Sequence, residues 1–156
     1  MRKVKMVKSL KVMEKRLRKN FNKFIQMRDV LIAVSGEIIA ECLACKRIWT
    51  LNNTYEWKDW HASHYWLEDK YASVRFDEYN VNGCCSVCNK YLHGNLAMYE
   101  VNLIEKIGNE DFQKLNFRRN LIKKYDVLDL EALNKSYLKS IKRFTKTKFK
   151  DTYIFN

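Results

Sequence analysis

Two short cysteine pairs, Cys42-Leu43-Ala44-Cys45 and Cys85-Ser86-Val87-Cys88, constrain this chain more than any other feature. Each is a C-x2-C turn that points two thiolates inward, and two such turns can wrap one tetrahedral zinc ion. The pairs are separated by 39 residues, so a fold that uses them must bring the two turns together. Metal closure would fix a region that lacks a large core of its own. Four thiolates leave the ion no open position, so such a zinc is structural and cannot activate water. Cys84 lies beside the second pair and leaves a Cys84-x3-Cys88 register open. C-x2-C is the more usual knuckle, which makes Cys84 the spare. The competing reading of these cysteines is buried or reactive free thiols.

Charge narrows the partner. The chain has 156 residues and a formal charge of +12, so it should seek a polyanion. Nucleic acid is the first expectation, with an anionic membrane surface the lesser one. Four zinc-bound thiolates would lower that charge locally. The longest apolar run, Val30 to Val34, falls far short of the roughly 20 residues of a membrane span. No apolar signal-peptide region follows the basic N-terminus. The expected location is therefore the cytoplasm, where thiols stay reduced and five cysteines favour a metal site over disulfides. The length fits one domain with appended helices.

Three segments follow in order. Residues 1–35 form a basic amphipathic helix segment: Met1 to Arg28 holds eleven Lys or Arg and one acid, Glu14. Leu10, Met13, Leu17, Phe21, Phe24 and Ile25 fall at helical spacing. Lys11, Lys15, Arg18, Lys19 and Arg28 are the candidate contacts to a DNA backbone, against the plainer reading of a solvated face. Residues 36–108 are the cysteine-framed centre, with a short strand at Glu37 to Ala40, a turn at Asn52-Asn53, and an extended or loop stretch from Val74 to Val81. A helix is expected after Cys88, with Leu96, Tyr99, Leu103 and Ile107 on one face and Gly108 as its stop. Residues 109–156 are a helical C-terminal extension with an apolar stripe at Leu130, Leu133, Tyr137, Ile141 and Phe144.

All three histidines, His61, His64 and His93, lie inside or next to the cysteine frame. Phosphodiester hydrolysis needs a base for water and a cation to take charge from phosphate oxygens. Imidazole suits the first task near neutral pH, and imidazole, Asn carbonyl or carboxylate can hold the cation. His61 and His64 are three apart, so on a regular strand they face opposite sides. They act together only if the chain bends; otherwise one is packed and one exposed. Asp59 would share a strand face with His61 and is a fallback metal ligand. A helix beginning at Asn89 would put Asn89 and His93 on one face. Trp57, Trp60, Tyr65 and Trp66 could stack on splayed bases, though core packing is favoured. Asp77 and Glu78 point apart on a strand and read as structural.

The run His61-Ala62-Ser63-His64-Tyr65, then Arg75 to Val81 with Asn80, then Cys85-x2-Cys88-Asn89, then Gly94-Asn95 with Tyr99 and Leu103, resembles the NinG/Rap recombination nucleases of lambdoid phages. The segment Phe21 to Asp29 resembles the N-terminal motif of that family, and the likeness covers roughly residues 18 to 115. Phage endonuclease VII resolvases are similar in plan. The resemblance implies an α+β fold: a small ββα-metal (HNH/treble-clef) core around a four-cysteine zinc knuckle, flanked by N- and C-terminal helices. It also implies cleavage of branched DNA such as Holliday junctions, in a bacterial host cell and from a phage or prophage gene. Under it His64 is the base. His61 and Asn89 would hold a catalytic Mg²⁺ or Mn²⁺, and Asn80 would brace the loop. Ser63 stands where Gly is usual, Cys84 where Gln is common, and His93 where Ser is common.

The expected activity is therefore metal-dependent hydrolysis of branched DNA, with structural Zn²⁺ and a Mg²⁺ or Mn²⁺ cofactor. Symmetric cuts across a junction suggest a homodimer, and a phage recombinase is a further expected partner. The alternatives are a non-catalytic zinc-knuckle protein that binds branched DNA and, more remotely, an RNA-binding zinc ribbon.

Overall fold

The computed structural model describes residues 9–150; residues 1–8 of the basic segment and 151–156 of the tail lie outside the described residues. Helix α1 (Leu10–Arg28) starts where the Ser9 hydroxyl accepts from the Val12 amide. Its stripe of Met13, Leu17, Phe21, Phe24, Ile25 and Met27 is buried, while Leu10, expected in that stripe, is exposed at the helix start. Strands β1 (Val30–Ile32), β2 (Ile38–Glu41) and β3 (Ile48–Thr50) form an antiparallel sheet in that order. Gly36, at φ 85°, turns the chain between β1 and β2, in a backbone region that only glycine enters freely. Between β2 and β3 lies the first cysteine turn, where Lys46 N–H donates to Cys42 O at 2.8 Å and Cys42 N–H donates to Arg47 O at 3.0 Å.

The expected turn at Asn52-Asn53 is the start of a short helix, α2 (Thr54–Lys58). Asn53 and Glu56 form a reciprocal capping box there, which satisfies amides that the first turn leaves free. Asp59 ends α2, so it does not share a strand face with His61; the strand begins one residue later. Strand β4 (Trp60–His64) pairs antiparallel with β5 (Val81–Cys85), setting Trp60 opposite Cys85, His61 opposite Cys84 and His64 opposite Val81. Residues 65–80 cross between them as a loop with one 3-10 turn at Ala72–Val74.

The helix expected directly after Cys88 is interrupted. A single wide helical turn spans Val87–Tyr91, and His93, Gly94 and Asn95 then take φ of 48°, 91° and 48°. Three consecutive left-handed residues cannot continue a right-handed helix. Helix α3 (Leu96–Ile107) begins after them and buries Tyr99 and Leu103 of the expected stripe, while Leu96 at its start is exposed and Ile107 at its end is half-buried. Gly108, at φ 83°, turns α3 into α4 (Asn109–Arg119). Helix α5 (Val127–Thr147) opens with an Asp126/Asp129 capping box.

Helices α1 and α5 pack along each other. The ring of Tyr137 meets Phe21 at 5.0 Å and Phe24 at 4.9 Å between centroids, and Phe144 stacks on Phe24 at 5.8 Å. One buried cluster runs from Met13 to Phe149 and includes Trp60, Tyr99 and Leu115. The boundaries at residues 35 and 108 thus divide the sequence but not the core. Trp60 and Tyr65 are buried in it, and the Arg119 guanidinium covers the face of Trp66 at 3.7 Å. These aromatics are packing groups, as favoured from the sequence.

Candidate metal centre and active-site pocket

The two cysteine turns meet. The sulfurs of Cys42, Cys45, Cys85 and Cys88 all lie within 4.8 Å of one another, and those of Cys45 and Cys85 are 3.9 Å apart. Tetrahedral zinc with bonds of about 2.3 Å sets sulfurs about 3.8 Å apart, so the quartet fits the ion with little adjustment. The first turn is docked on the hairpin by Leu43 N–H to Gly83 O at 3.1 Å. Asn102 of α3 donates to the carbonyls of Leu43 and Ala44 at 2.8 and 3.1 Å. Cys85 N–H points at Cys42 Sγ (3.3 Å) and the Asn95 amide at Cys88 Sγ (3.7 Å), the donors that thiolates accept.

Ionisation in the quartet is uneven. A hydrogen bond from the Cys84 thiol, then backbone amides of Cys45 and Cys85, bring Cys42 down to about 4 against the cost of burial. Burial chiefly pushes Cys85 and Cys88 up. A cation at the centre would remove that penalty, which is the chemical fit of the donor set to a divalent metal. Cys84 lies outside the quartet. It is fully buried, and its hydrogen bond to Cys42 and its burial hold it protonated.

The histidine end of the β4–β5 hairpin opens on a cavity of about 710 Å³, lined by Asn22 of α1, His64, Glu68, Asn89 and His93, among others. His64 and Asn89 therefore share one cavity, although one is on a strand and the other follows the last cysteine. The His64 ring is held by Nε2, which donates to Arg75 O at 3.1 Å. A carbonyl only accepts, so the proton sits on Nε2 and Nδ1 carries the free lone pair. Burial lowers the pKa of His64, outweighing the nearby Glu68 carboxylate and the Arg75 hydrogen bond, which both raise it. His61 faces away by strand alternation, yet it is tied to the same site: Asn89 Nδ2 lies 3.0 Å from His61 Nδ1. His61 Nε2 donates to Lys58 O at 2.9 Å, which leaves Nδ1 as the lone-pair nitrogen there too. Asn89 is the link that brings the two histidines into one constellation. Among the described residues the cysteine quartet is the one group of three or more His, Cys, Asp or Glu whose ligand atoms converge. Asp59 therefore joins no such group.

Asn80 is fully buried behind the pocket and does not line it. Its amide donates to Trp66 O (2.9 Å) and Val74 O (3.0 Å) and accepts from Trp66 N–H (2.7 Å), so it staples the 65–80 loop behind His64. His93 is exposed on the cavity rim. Lys11, Lys15 and Lys19 are exposed on α1. The spacing 11, 15, 18, 22 puts Lys11 and Lys15 on the helix face of Arg18 and Asn22, which leads to the cavity. Arg18 pairs with Glu68 at 3.1 Å.

Arg28 is the exception among the basic candidates. Its guanidinium turns inward to Asp29 (2.7 Å), Glu78 O (2.9 Å), Val81 O (3.0 Å) and Asn82 (3.1 Å), so it closes the fold at the end of α1 and offers no free donor fork to a phosphate. Asn22, Glu68 and the Glu14–Arg75 pair were not singled out as site residues from sequence. Asn22 lies four residues after Arg18, Glu14 is the one acid of the basic segment, and Arg75 opens the Arg75–Val81 run, but nothing local joins them to His64.

Residues 1–147 match the family described as the bacteriophage lambda NinG protein. A protein named ninG from Escherichia phage 933W is 31% identical over 101 residues, which cover 65% of this chain and 46% of that protein. The ninG protein of Escherichia phage lambda is 29% identical over the same length and shares. That of Salmonella phage P22 is 39% identical over 67 residues, 43% of this chain and 30% of the relative. The chain thus spans less than half the length of these relatives. No solved structure matches it. With its family match running through all but the last residues, the chain belongs to the NinG family of phage proteins.

Proposed function

We propose that this chain is a metal-dependent endonuclease of the HNH, ββα-metal kind that cuts branched DNA. The observation that carries the reading is the shared cavity of His64 and Asn89, with His61 joined to Asn89 across 3.0 Å. The β4–β5 hairpin, followed by the single helical turn that holds Cys88 and Asn89, is compatible with a ββα plan. The zinc quartet pins that turn to the hairpin.

His64, half-buried and with its Nε2 proton held by the Arg75 carbonyl, offers Nδ1 to a water molecule, takes its proton, and frees the oxygen to attack the phosphorus atom. His61 Nδ1 and the Asn89 amide oxygen would hold the Mg²⁺ or Mn²⁺ once the Asn89 Nδ2–His61 Nδ1 hydrogen bond gives way; two protein donors leave the rest of the shell to water and phosphate, as Mg²⁺ prefers. Such a cation would supply Lewis-acid relief of the charge that builds on the scissile phosphate. Lys11, Lys15, Lys19 and Arg18 form the basic approach along α1, where duplex arms would lie.

The test is cleavage of a four-way junction by purified protein in Mg²⁺ and in Mn²⁺. The wild type should nick the junction, and His64→Ala should lose at least about 100-fold in rate while keeping its affinity. A wild type that binds the junction and leaves it whole in both cations would instead be a non-catalytic junction binder.

A further inference from the structure

We infer that Glu14 and Arg75 are positioning residues that fix the orientation and proton placement of His64, acting from helix α1 through the backbone of the 65–80 loop. This rests on His64 being the base.

Met1 to Arg28 carries one acid among eleven bases, and that acid is not spent on the helix. Glu14 Oε1 reaches Arg75 Nη1 at 2.6 Å, with the arginine 15% and the glutamate 28% exposed. The same guanidinium bridges to Glu68 O through Nε and Nη2, at 3.4 and 3.3 Å. The Arg75 side chain is thereby held between helix α1 and Glu68 of the loop, and its own carbonyl is the acceptor for His64 Nε2 at 3.1 Å. One turn further along α1, Arg18 grips the Glu68 side chain at 3.1 Å. Two ion pairs, Glu14–Arg75 and Arg18–Glu68, run from one helix face to one loop. Between them they set where the Arg75 carbonyl sits.

That carbonyl does two things to the imidazole. It accepts from Nε2 and so keeps the proton there, leaving Nδ1 unprotonated. It also resists rotation of the ring about the Cβ–Cγ bond. A base displaced by a fraction of an ångström loses much of its rate advantage, since proton transfer needs hydrogen-bond reach. A basic helix suited to a nucleic-acid backbone thus also carries the acid that orders the base, so binding and chemistry are built on one element.

The experiment reads the imidazole directly. The chain has three histidines, so the ring nitrogens of ¹⁵N-labelled zinc-loaded protein can be assigned by NMR. The wild type should show His64 in the single Nε2–H form. In Glu14→Gln that form should give way to a mixture of tautomers, kcat on a four-way junction should fall about tenfold, and KM should stay within about twofold. Arg75→Lys keeps a charge for Glu14 but not the fork to Glu68 O, and should fall between the two; it also serves if Glu14→Gln does not fold. Zinc content and melting temperature are measured on each variant. A His64 that keeps one tautomer and full kcat in the folded variants overturns the inference, even if they melt lower. If the wild type cuts no junction, the nuclease reading fails while the tautomer measurement still decides whether these residues order the ring.

Discussion

Gly83 faces Ala62 in the β4–β5 ladder with the Trp60 indole lying against it; a Cβ there would meet Trp60 Cζ2 at 2.2 Å and Asp29 Cβ at 3.0 Å. The indole is fully buried and cannot swing away. Gly83→Ala should therefore cost at least about 2 kcal/mol in urea unfolding, the range for overpacking a filled core. His64 gives the pH prediction. Its pKa is lowered by burial, so the imidazole stays unprotonated below the ordinary histidine value. Under the proposed nuclease mechanism, the acid limb of the kcat/KM profile should lie below about 6.5. The linked stability has the same sense: the unfolded chain takes up the proton first. The contribution is whole above the unfolded value and is lost as pH falls through the folded one. At this scale the sequence was readable where chemistry is local, as with the four cysteines and Asn89 beside the last of them. It is silent on Arg28, which looks like a phosphate contact until the carbonyls of Glu78 and Val81, about fifty residues along the chain, join the neighbouring Asp29 around its guanidinium.

Elements were legible where their periodicity is long and their caps are clear. Helices α1, α3 and α5 are visible as apolar stripes, and Gly108 as a stop. Helix α2 was hidden in an aromatic-rich stretch, although its Asn53/Glu56 capping box is written in the sequence. The break after Cys88 had a weaker signal, since Gly94 and Asn95 tolerate positive φ but His93 does not advertise it. The pairing of α1 with α5 was not legible at all, because two amphipathic stripes do not name their partners. It is nevertheless the largest helix contact here. Tyr137 meets both Phe21 and Phe24 and is 6% exposed, so Tyr137→Ala should cost about 3 kcal/mol in thermal or urea unfolding. A loss below about 1 kcal/mol would mean that α5 is only loosely attached.

At the scale of the whole molecule, the described residues share one core from Met13 to Phe149 and bring together a cysteine quartet that could hold a metal such as zinc. Structural zinc contributes on the order of 10–16 kcal/mol of apparent binding free energy, while a domain this size is stable by about 5–15 kcal/mol. With zinc in the quartet, its removal should therefore cost most or all of the stability of the shared core. Cys42→Ala, or wild type with a strong chelator, is expected to lose zinc and its cooperative melt by calorimetry. Retention of both would mean that the sulfurs do not share an ion. The charge of +12 leads at this scale to the expectation of a polyanionic partner. It could not say that a loop would be clamped to the basic helix, which is a matter of tertiary distance.

The ladder between Trp60–His64 and Val81–Cys85 has a final consequence. Along it the side chains alternate, so odd and even positions have fixed parity: the thiol of Cys85 and the imidazole of His64 stay four rungs apart on one side. A single residue inserted between Val81 and Cys85 would invert that parity and send sulfur and imidazole to opposite sides at once. Length changes that preserve this stretch of protein ruler should be tolerated far better than any frame slip within it.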